Sequence, residues 1–190
     1  NLHSPYLYYI GGFDTRKNLP MLLRAFGRVR RRYGRPVQLV IGGQRPKANS
    51  ALFPALEPTI LDEGLAADVV FLGRVSVEEN AALYAGAAAF VWPSQYEGFG
   101  LPPLEAMACG GVVLAANISS MPEIVALGGI LLPPHDTEAW AVMMLRMLTE
   151  PELGSEYRAR GLSRAREFNW AIFAQQMIRI YERIPARLRH

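Results

Sequence analysis

The stretch Glu97-Gly98-Phe99-Gly100-Leu101-Pro102-Pro103-Leu104-Glu105 sets two carboxylates on either side of a glycine-punctuated loop that runs into a proline-started helix. Gly98 and Gly100 let bare backbone N–H groups come close to a ligand, and the N-terminus of a helix over 101–109 offers positive potential to phosphate oxygens. Pro102 and Pro103 stand where a helix can spare backbone donors, so they fix its start without breaking it. Glu97 before the loop and Glu105 in the first helical turn are placed to accept hydrogen bonds from vicinal hydroxyls, the pairs that sugars and riboses present. A plainer reading stands beside this one: Glu105 complements a helix dipole and Glu97 faces water.

Outward from this loop, short apolar, β-branched or aromatic runs alternate with longer amphipathic stretches, the pattern of a parallel sheet covered by helices. The first strand is read at 6–11, then a polar turn, then a helix at 19–33 with Leu19, Leu22, Leu23, Phe26 and Val29 on one face. Pro36 separates that helix from a strand at 37–42. The segment 51–64 is expected to be helical, irregular at its start because of Pro54 and Pro58. A third strand falls at 69–72, a helix at 77–85 opens with the capping box Ser76-x-x-Glu79, and a fourth strand spans 88–92. Beyond the loop helix come strands at 112–115 and 130–132 with a short helical turn at 122–125 between them. Helices at 137–148, 151–167 and 170–184 close the chain. Asn169 is expected to cap the last, whose stripe of Phe173, Met177, Ile180 and Ile184 is expected to dock on neighbouring structure. In open sheets of this kind, ligands bind outside the carboxyl ends of the strands, so the turns after the first, fourth and fifth strands should line one cleft.

At 190 residues, 51% of them apolar, the chain can bury one substantial core but hardly two, so 1–190 is read as one domain with 170–190 as a C-terminal helix. The longest apolar stretches, 81–93 and 110–116, fall short of the roughly 20 residues that a transmembrane helix needs. The chain begins Asn1-Leu2-His3-Ser4-Pro5, without an initiator Met or a basic-then-apolar leader, and is expected to be a piece of a longer protein. Its single cysteine, Cys109, excludes an internal disulfide framework, fits a reducing compartment and is read as a packed thiol. The expected location is therefore cytoplasmic. The net charge of +3 is modest but uneven, with Arg28, Arg30, Arg31, Arg32 and Arg35 crowded around one helix end. Two readings stand: a solvated helix face, or a patch that meets anionic lipid headgroups at the inner face of a membrane or an acidic partner. Nucleic acid is not expected, since no aromatic-and-basic interleaving accompanies the cluster.

After the first strand, Gly11-Gly12-Phe13-Asp14-Thr15-Arg16-Lys17-Asn18 places two glycines before two cations near a helix start, a combination that favours anions. Lys17 as a point charge suits a diphosphate, with Arg16 either helping or pairing with a local carboxylate such as Asp14. After the fifth strand, Asn117-Ile118-Ser119-Ser120-Met121-Pro122-Glu123 offers hydroxyls and N–H groups to a phosphate or sugar, or is an ordinary helix start with Ser120 as its cap. The three turns together fit a phosphorylated, polyhydroxylated ligand.

In this order the turns resemble the donor-binding C-terminal half of retaining glycosyltransferases of the GT-B fold, the family 4 group that includes sucrose, glycogen-like and mannosyl transferases. The resemblance covers nearly the whole chain. It is carried by the first turn, by Phe71-Leu72-Gly73-Arg74-Val75, by Trp92-Pro93-Ser94 leading through Glu97 to Gly110, and by Ser119-Ser120-Met121-Pro122-Glu123. It implies a Rossmann-like open parallel sheet flanked by helices, one half of the two-domain fold.

The resemblance further implies that Glu97 lies near the donor sugar hydroxyls, that Glu105 binds the nucleotide ribose, and that Lys17 neutralises the departing diphosphate. It places backbone donors of Phe99, Gly100 and Leu101 at the sugar and phosphates, and Arg74 and Val75 near the base. Two departures stand out. Relatives often carry an arginine where this chain has Gly12, for which Arg16 is a candidate substitute, and Gly-Asp where it has Ala126-Leu127.

The chemistry expected from the resemblance is transfer of a hexose from a nucleoside diphosphate to a glycan, lipid-linked or other acceptor hydroxyl, with the anomeric configuration retained. Negative charge that builds on the diphosphate falls to Lys17, the helix terminus and the loop amides. No cofactor or metal is required, as no Asp-x-Asp pair is present. Double displacement through Glu97 ranks below a front-face route in which the leaving phosphate helps take the acceptor proton. The family's N-terminal acceptor domain is expected as the missing partner and as the structure on which the C-terminal helix at 170–190 docks, so this fragment alone should be inactive. Guanosine diphosphate mannose is the first donor expected and a uridine diphosphate sugar the second, in polysaccharide assembly. The alternatives are a nucleotide-sugar-binding module without catalysis and a sugar-nucleotide epimerase of similar fold.

Overall fold

Each strand read from the sequence forms, with ends that move by a residue at most. The strands are Tyr6–Ile10 (β1), Gln38–Gly42 (β2), Val69–Gly73 (β3), Ala89–Trp92 (β4), Val113–Ala116 (β5) and Ile130–Leu132 (β6). The helices are Leu19–Tyr33 (α1), Glu57–Asp62 (α2), Val77–Gly86 (α3), Leu101–Ala108 (α4), Met121–Val125 (α5), Thr137–Thr149 (α6), Pro151–Ala165 (α7) and Trp170–Arg183 (α8). The structure is a computed structural model and describes residues 2, 3 and 5–183; Ile184, read as part of the last apolar stripe, lies outside the described residues.

All strand pairings are parallel, in the order β3-β2-β1-β4-β5-β6. Tyr8 of β1 stands beside Val40 on one side and Phe90 on the other. From β1 the chain winds outward one way to β3, then returns past β1 and winds the other way to β6. Right-handed crossovers in opposite directions put α1 and α4 on opposite faces of the sheet and leave a crevice between the carboxyl ends of β1 and β4. The four inner strands are buried almost throughout, which explains their continuous apolar runs.

α1 buries Leu19, Leu22, Leu23, Phe26 and Val29 as its periodicity predicts, and Gly34 ends it with φ of 66°, a conformation that suits glycine. Full burial of each Leu or Phe contributes about 1.5–3 kcal/mol relative to exposure. α3 opens with the predicted box: the Glu79 N–H donates to Ser76 Oγ at 3.2 Å and the Ser76 N–H donates to Glu79 Oε2 at 2.8 Å. The segment 51–64 differs from expectation. Only Glu57–Asp62 is helical, because Pro54 interrupts the run and Pro58 is tolerated only in the first turn. Ser120 also departs from its reading as a side-chain cap: it makes no capping bond to α5, and its hydroxyl goes elsewhere. Glu105 lies in the second turn of α4, one turn beyond the reading that would let it complement the helix dipole.

The arginine cluster joins elements. Arg28 and Arg32 of α1 both pair with Glu138 at the start of α6, at 2.9 and 2.5 Å, Arg31 pairs with Glu63 at 2.8 Å, and Arg30 pairs with Asp68 at 2.8 Å. Arg35 stacks on the Tyr33 ring at 4.7 Å. Arg158 of α7 donates to the carbonyls of Ala85, Ala87 and Gly110 and ties the helix to the ends of α3 and α4. Asn169 caps α8 as expected, accepting the Ala171 N–H at 2.7 Å. The stripe of α8 lies open in the described chain: no residue of α8 is buried, and Phe173 and Ile180 are each 53% exposed.

Candidate functional site

Three turns at the carboxyl edge of the sheet meet around Glu97. From the turn after β4, the Gln95 N–H donates to the Arg16 carbonyl at 2.7 Å, which locks this turn to the one after β1. Ser119, from the turn after β5, donates through Oγ to the Glu97 carbonyl at 2.6 Å and accepts the Glu97 N–H at 3.2 Å. Ser120 Oγ donates to the Phe99 carbonyl at 2.7 Å. The convergence inferred from strand order is thus a bonded network, and the two serines serve it by holding the main chain of the loop.

At its centre Lys17 Nζ lies 2.5 Å from Glu97 Oε1, across 80 residues of sequence. The two side chains are only 12% and 16% exposed, so the pair is largely shielded from water. The same ammonium sits over the Trp92 ring, 4.8 Å from its centroid. Trp92 is buried and Tyr9 stacks on it at 5.6 Å. Burial pushes the Tyr9 phenol well above its usual range, with the charges of Glu97 and Asp14 adding to the effect, so it remains a donor. Its hydroxyl donates to the Gly12 carbonyl at 2.6 Å and fixes the glycine turn.

Gly100 precedes α4 with φ of 105°, a region that L side chains rarely adopt, and a Cβ there would collide with the Met121 methyl. Pro102 and Pro103 carry no N–H, which confines the backbone donors at this helix start to the residues just before them. Glu105 is exposed and accepts a 3.4 Å hydrogen bond from the hydroxyl of buried Tyr84. Phe99 and Leu101 are about half exposed and, with Leu104, Phe168, Trp170 and Phe173, line an apolar hollow of about 570 Å³. That lining does not suit a diphosphate, and the hollow lies beside the Lys17–Glu97 pair without including it.

Other predicted residues sit further out. Arg16 pairs with Asp14 at 2.8 Å, the local partner that the sequence offered. A Cβ at Gly12 would stand 3.7 Å from Lys17 Cε, an ordinary contact, but 3.1 Å from Asp14 Oδ2, so a side chain there requires the Asp14 carboxylate to give way by a few tenths of an ångström. Arg74 is exposed on the turn after β3 and donates to Gln44 Oε1 at 3.1 Å, while Val75 packs against the core. Neither is bonded to the network around Glu97 in any contact described. Burial, and then Glu105, raise the Cys109 thiol, which keeps it protonated as a packed residue. Among the described residues, no three His, Cys, Asp or Glu side chains gather into a metal-binding group, and no helix is long and apolar enough to cross a membrane.

Sequence reasoning missed Trp92, Tyr9 and Tyr84 as site components. Trp92 was signalled, being the last residue of the strand that borders the crevice, but an aromatic there reads equally as core.

The profile of the family described as Glycosyl transferases group 1 matches residues 1–167. The O-antigen chain mannosyltransferase B of Escherichia coli is 35% identical over 177 residues, covering 93% of this chain and 45% of that protein. The alpha-maltose-1-phosphate synthase of Mycolicibacterium smegmatis is 29% identical and covered to 50%, with 98% of this chain aligned. Among solved structures, sucrose-phosphate synthase from Thermosynechococcus elongatus superposes with a TM-score of 0.81 at 32% identity, over 94% of this chain and 45% of that one. The chain spans about half the length, or less, of the relatives it matches.

Proposed function

This chain belongs to the group 1 glycosyl transferases, and we propose that it is the donor-binding half of a retaining hexosyltransferase. The observation that carries the proposal is the Lys17–Glu97 pair, held at the crevice between β1 and β4 beside the start of α4. A nucleoside diphosphate hexose fits this arrangement with its diphosphate toward Lys17 and the loop amides, its sugar toward Glu97 and its ribose toward Glu105. On binding, Lys17 exchanges Glu97 for phosphate oxygens, and the freed carboxylate accepts hydrogen bonds from sugar hydroxyls. As the anomeric bond breaks, charge grows on the diphosphate, where an ammonium already in place costs no reorganisation. The acceptor attacks from the face the diphosphate leaves, and a phosphate oxygen takes its proton, so Glu97 orients the sugar without bonding to it. In this account no metal or cofactor takes part.

The part of the protein beyond this half supplies the acceptor site, so the isolated chain binds donor and transfers poorly. The first donor is guanosine diphosphate mannose, a reading supported by the 35% identity to an O-antigen mannosyltransferase. Assembly of a polysaccharide on a lipid-linked or glycan acceptor, in the cytoplasm, belongs to the same proposal; its polysaccharide part is supported by the likeness to an O-antigen chain mannosyltransferase. Peripheral contact of the arginine cluster with an anionic membrane completes the proposal, and lipid headgroups there would compete with the carboxylate partners that four of its five arginines already have. Thermal shifts of this chain with guanosine and uridine diphosphates, their sugars and the monophosphates test the reading. A diphosphate or its sugar should raise the midpoint more than the monophosphate of the same base. No response from a folded sample would contradict it.

A further inference from the structure

Lys17 is held from two sides, and the two partners differ in permanence. In the proposed function Glu97 is reassigned to the sugar when donor binds, so it cannot hold the ammonium through the reaction. The Trp92 ring, with its centroid 4.8 Å from Nζ, is the partner that stays. It cannot move aside: Trp92 is 1% exposed, stacked with Tyr9 at 5.6 Å and with Phe90 at 5.8 Å. Its Nε1 is buried without a hydrogen-bond partner among the described residues, and it is the ring face that meets the ammonium. A cation over an indole face is attracted by the ring quadrupole, most strongly where water is excluded, as it largely is at a side chain only 12% exposed.

We propose that Trp92 is a positioning residue for Lys17, an aromatic platform that keeps the ammonium aimed at the diphosphate once Glu97 releases it. The proposal rests on the donor-site reading above. Tyr9 extends the device, since the ring that stacks on Trp92 also anchors the Gly12 carbonyl through its hydroxyl, so that one aromatic pair sets both the cation and the glycine turn before it.

The test is a double-mutant cycle read by calorimetric affinity for guanosine and uridine diphosphate, using this chain with Trp92→Phe, Trp92→Leu and Lys17→Met, singly and combined. Lys17→Met should weaken the preferred diphosphate roughly tenfold or more. With Lys17 present, Trp92→Leu should weaken it by roughly three- to tenfold and Trp92→Phe by less, following the ranking of the ring faces. With Met at position 17 both losses should vanish. Equal losses with and without Lys17 would mean that Trp92 acts only through packing, and would overturn the platform. If Trp92→Leu fails to fold, Trp92→Phe carries the same cycle, with a smaller loss that must still disappear in the Lys17→Met background. A Lys17→Met protein that binds as the wild type does would instead remove the diphosphate role of Lys17 itself, a failure distinct from that of the platform.

Discussion

The Lys17–Glu97 pair at the crevice and the Arg28 and Arg32 pairs with Glu138 between α1 and α6 are close in chemistry and length, 2.5 Å against 2.9 and 2.5 Å. Their surroundings differ. The crevice side chains are 12% and 16% exposed, whereas those of the helix staple range from 39% to 47%. Exposed pairs gain little, because water and salt screen them and long side chains must be ordered. A shielded pair feels a stronger field but bears the cost of leaving water. Such a pair makes sense where a ligand replaces one partner, for the field is then already in place. The lesson is that an ion pair's length says little about its use, while its burial and its neighbours say much.

Breaking the crevice pair should have the largest effect. In the intact protein, Lys17→Met is expected to lower the turnover number by about 10²–10³-fold, or about 2.7–4 kcal/mol of transition-state stabilisation, measured as transfer from the preferred donor. Circular dichroism should show the fold retained. The frame that holds the pair comes next. Gly100→Ala forces an alanine to φ near 105° against Met121 and should cost about 1–3 kcal/mol of stability in urea unfolding. Ser119→Ala removes the clamp on the Glu97 main chain; a loss of about 1 kcal/mol and a roughly fivefold rise in donor KM are expected.

The smallest effect belongs to the staple. Hydrogen bonds from Arg32 hold the Glu138 carboxyl below its usual range, with Arg28 adding to the shift. A depressed folded value stabilises fully above the unfolded one, at about pH 4.3, and the contribution is lost as pH falls through the folded value. Glu138→Gln should therefore slightly lower the melting midpoint at neutral pH and low salt, and the difference should fade in high salt or acid. Transfer should be unchanged. If Glu138→Gln reduced transfer as much as Lys17→Met does, the contrast between the two regions would collapse.

Much of this was legible in the sequence because local and tertiary signals agree. The α1 stripe from Leu19 to Val29, the Ser76–Glu79 box and the buried runs of β1, β2, β4 and β5 are periodicities of single elements. The meeting of the turns after β1, β4 and β5 was also legible, through strand order. What lay hidden depended on partners. The segment 51–64 has helical composition, but its prolines leave only six residues as helix. A cluster of arginines shows cations without showing Glu138, Glu63 or Asp68, their partners in four ion pairs that span 32 to 110 residues of sequence. Ser120 resembles a cap because serine before a helix commonly is one; its hydroxyl finds the Phe99 carbonyl only once β4 and β5 are side by side. Trp92 resembles core and is core, and only the position of Lys17 reveals the second use of its ring.

The central claim is that the Lys17–Glu97 pair marks the donor site, and a crystal structure of this chain with its preferred nucleoside diphosphate tests it most directly. The account predicts phosphate oxygens within hydrogen-bond reach of Lys17 Nζ, near the loop before α4, with the bond to Glu97 opened. A nucleotide bound away from the crevice, with Lys17 still on Glu97, would contradict it.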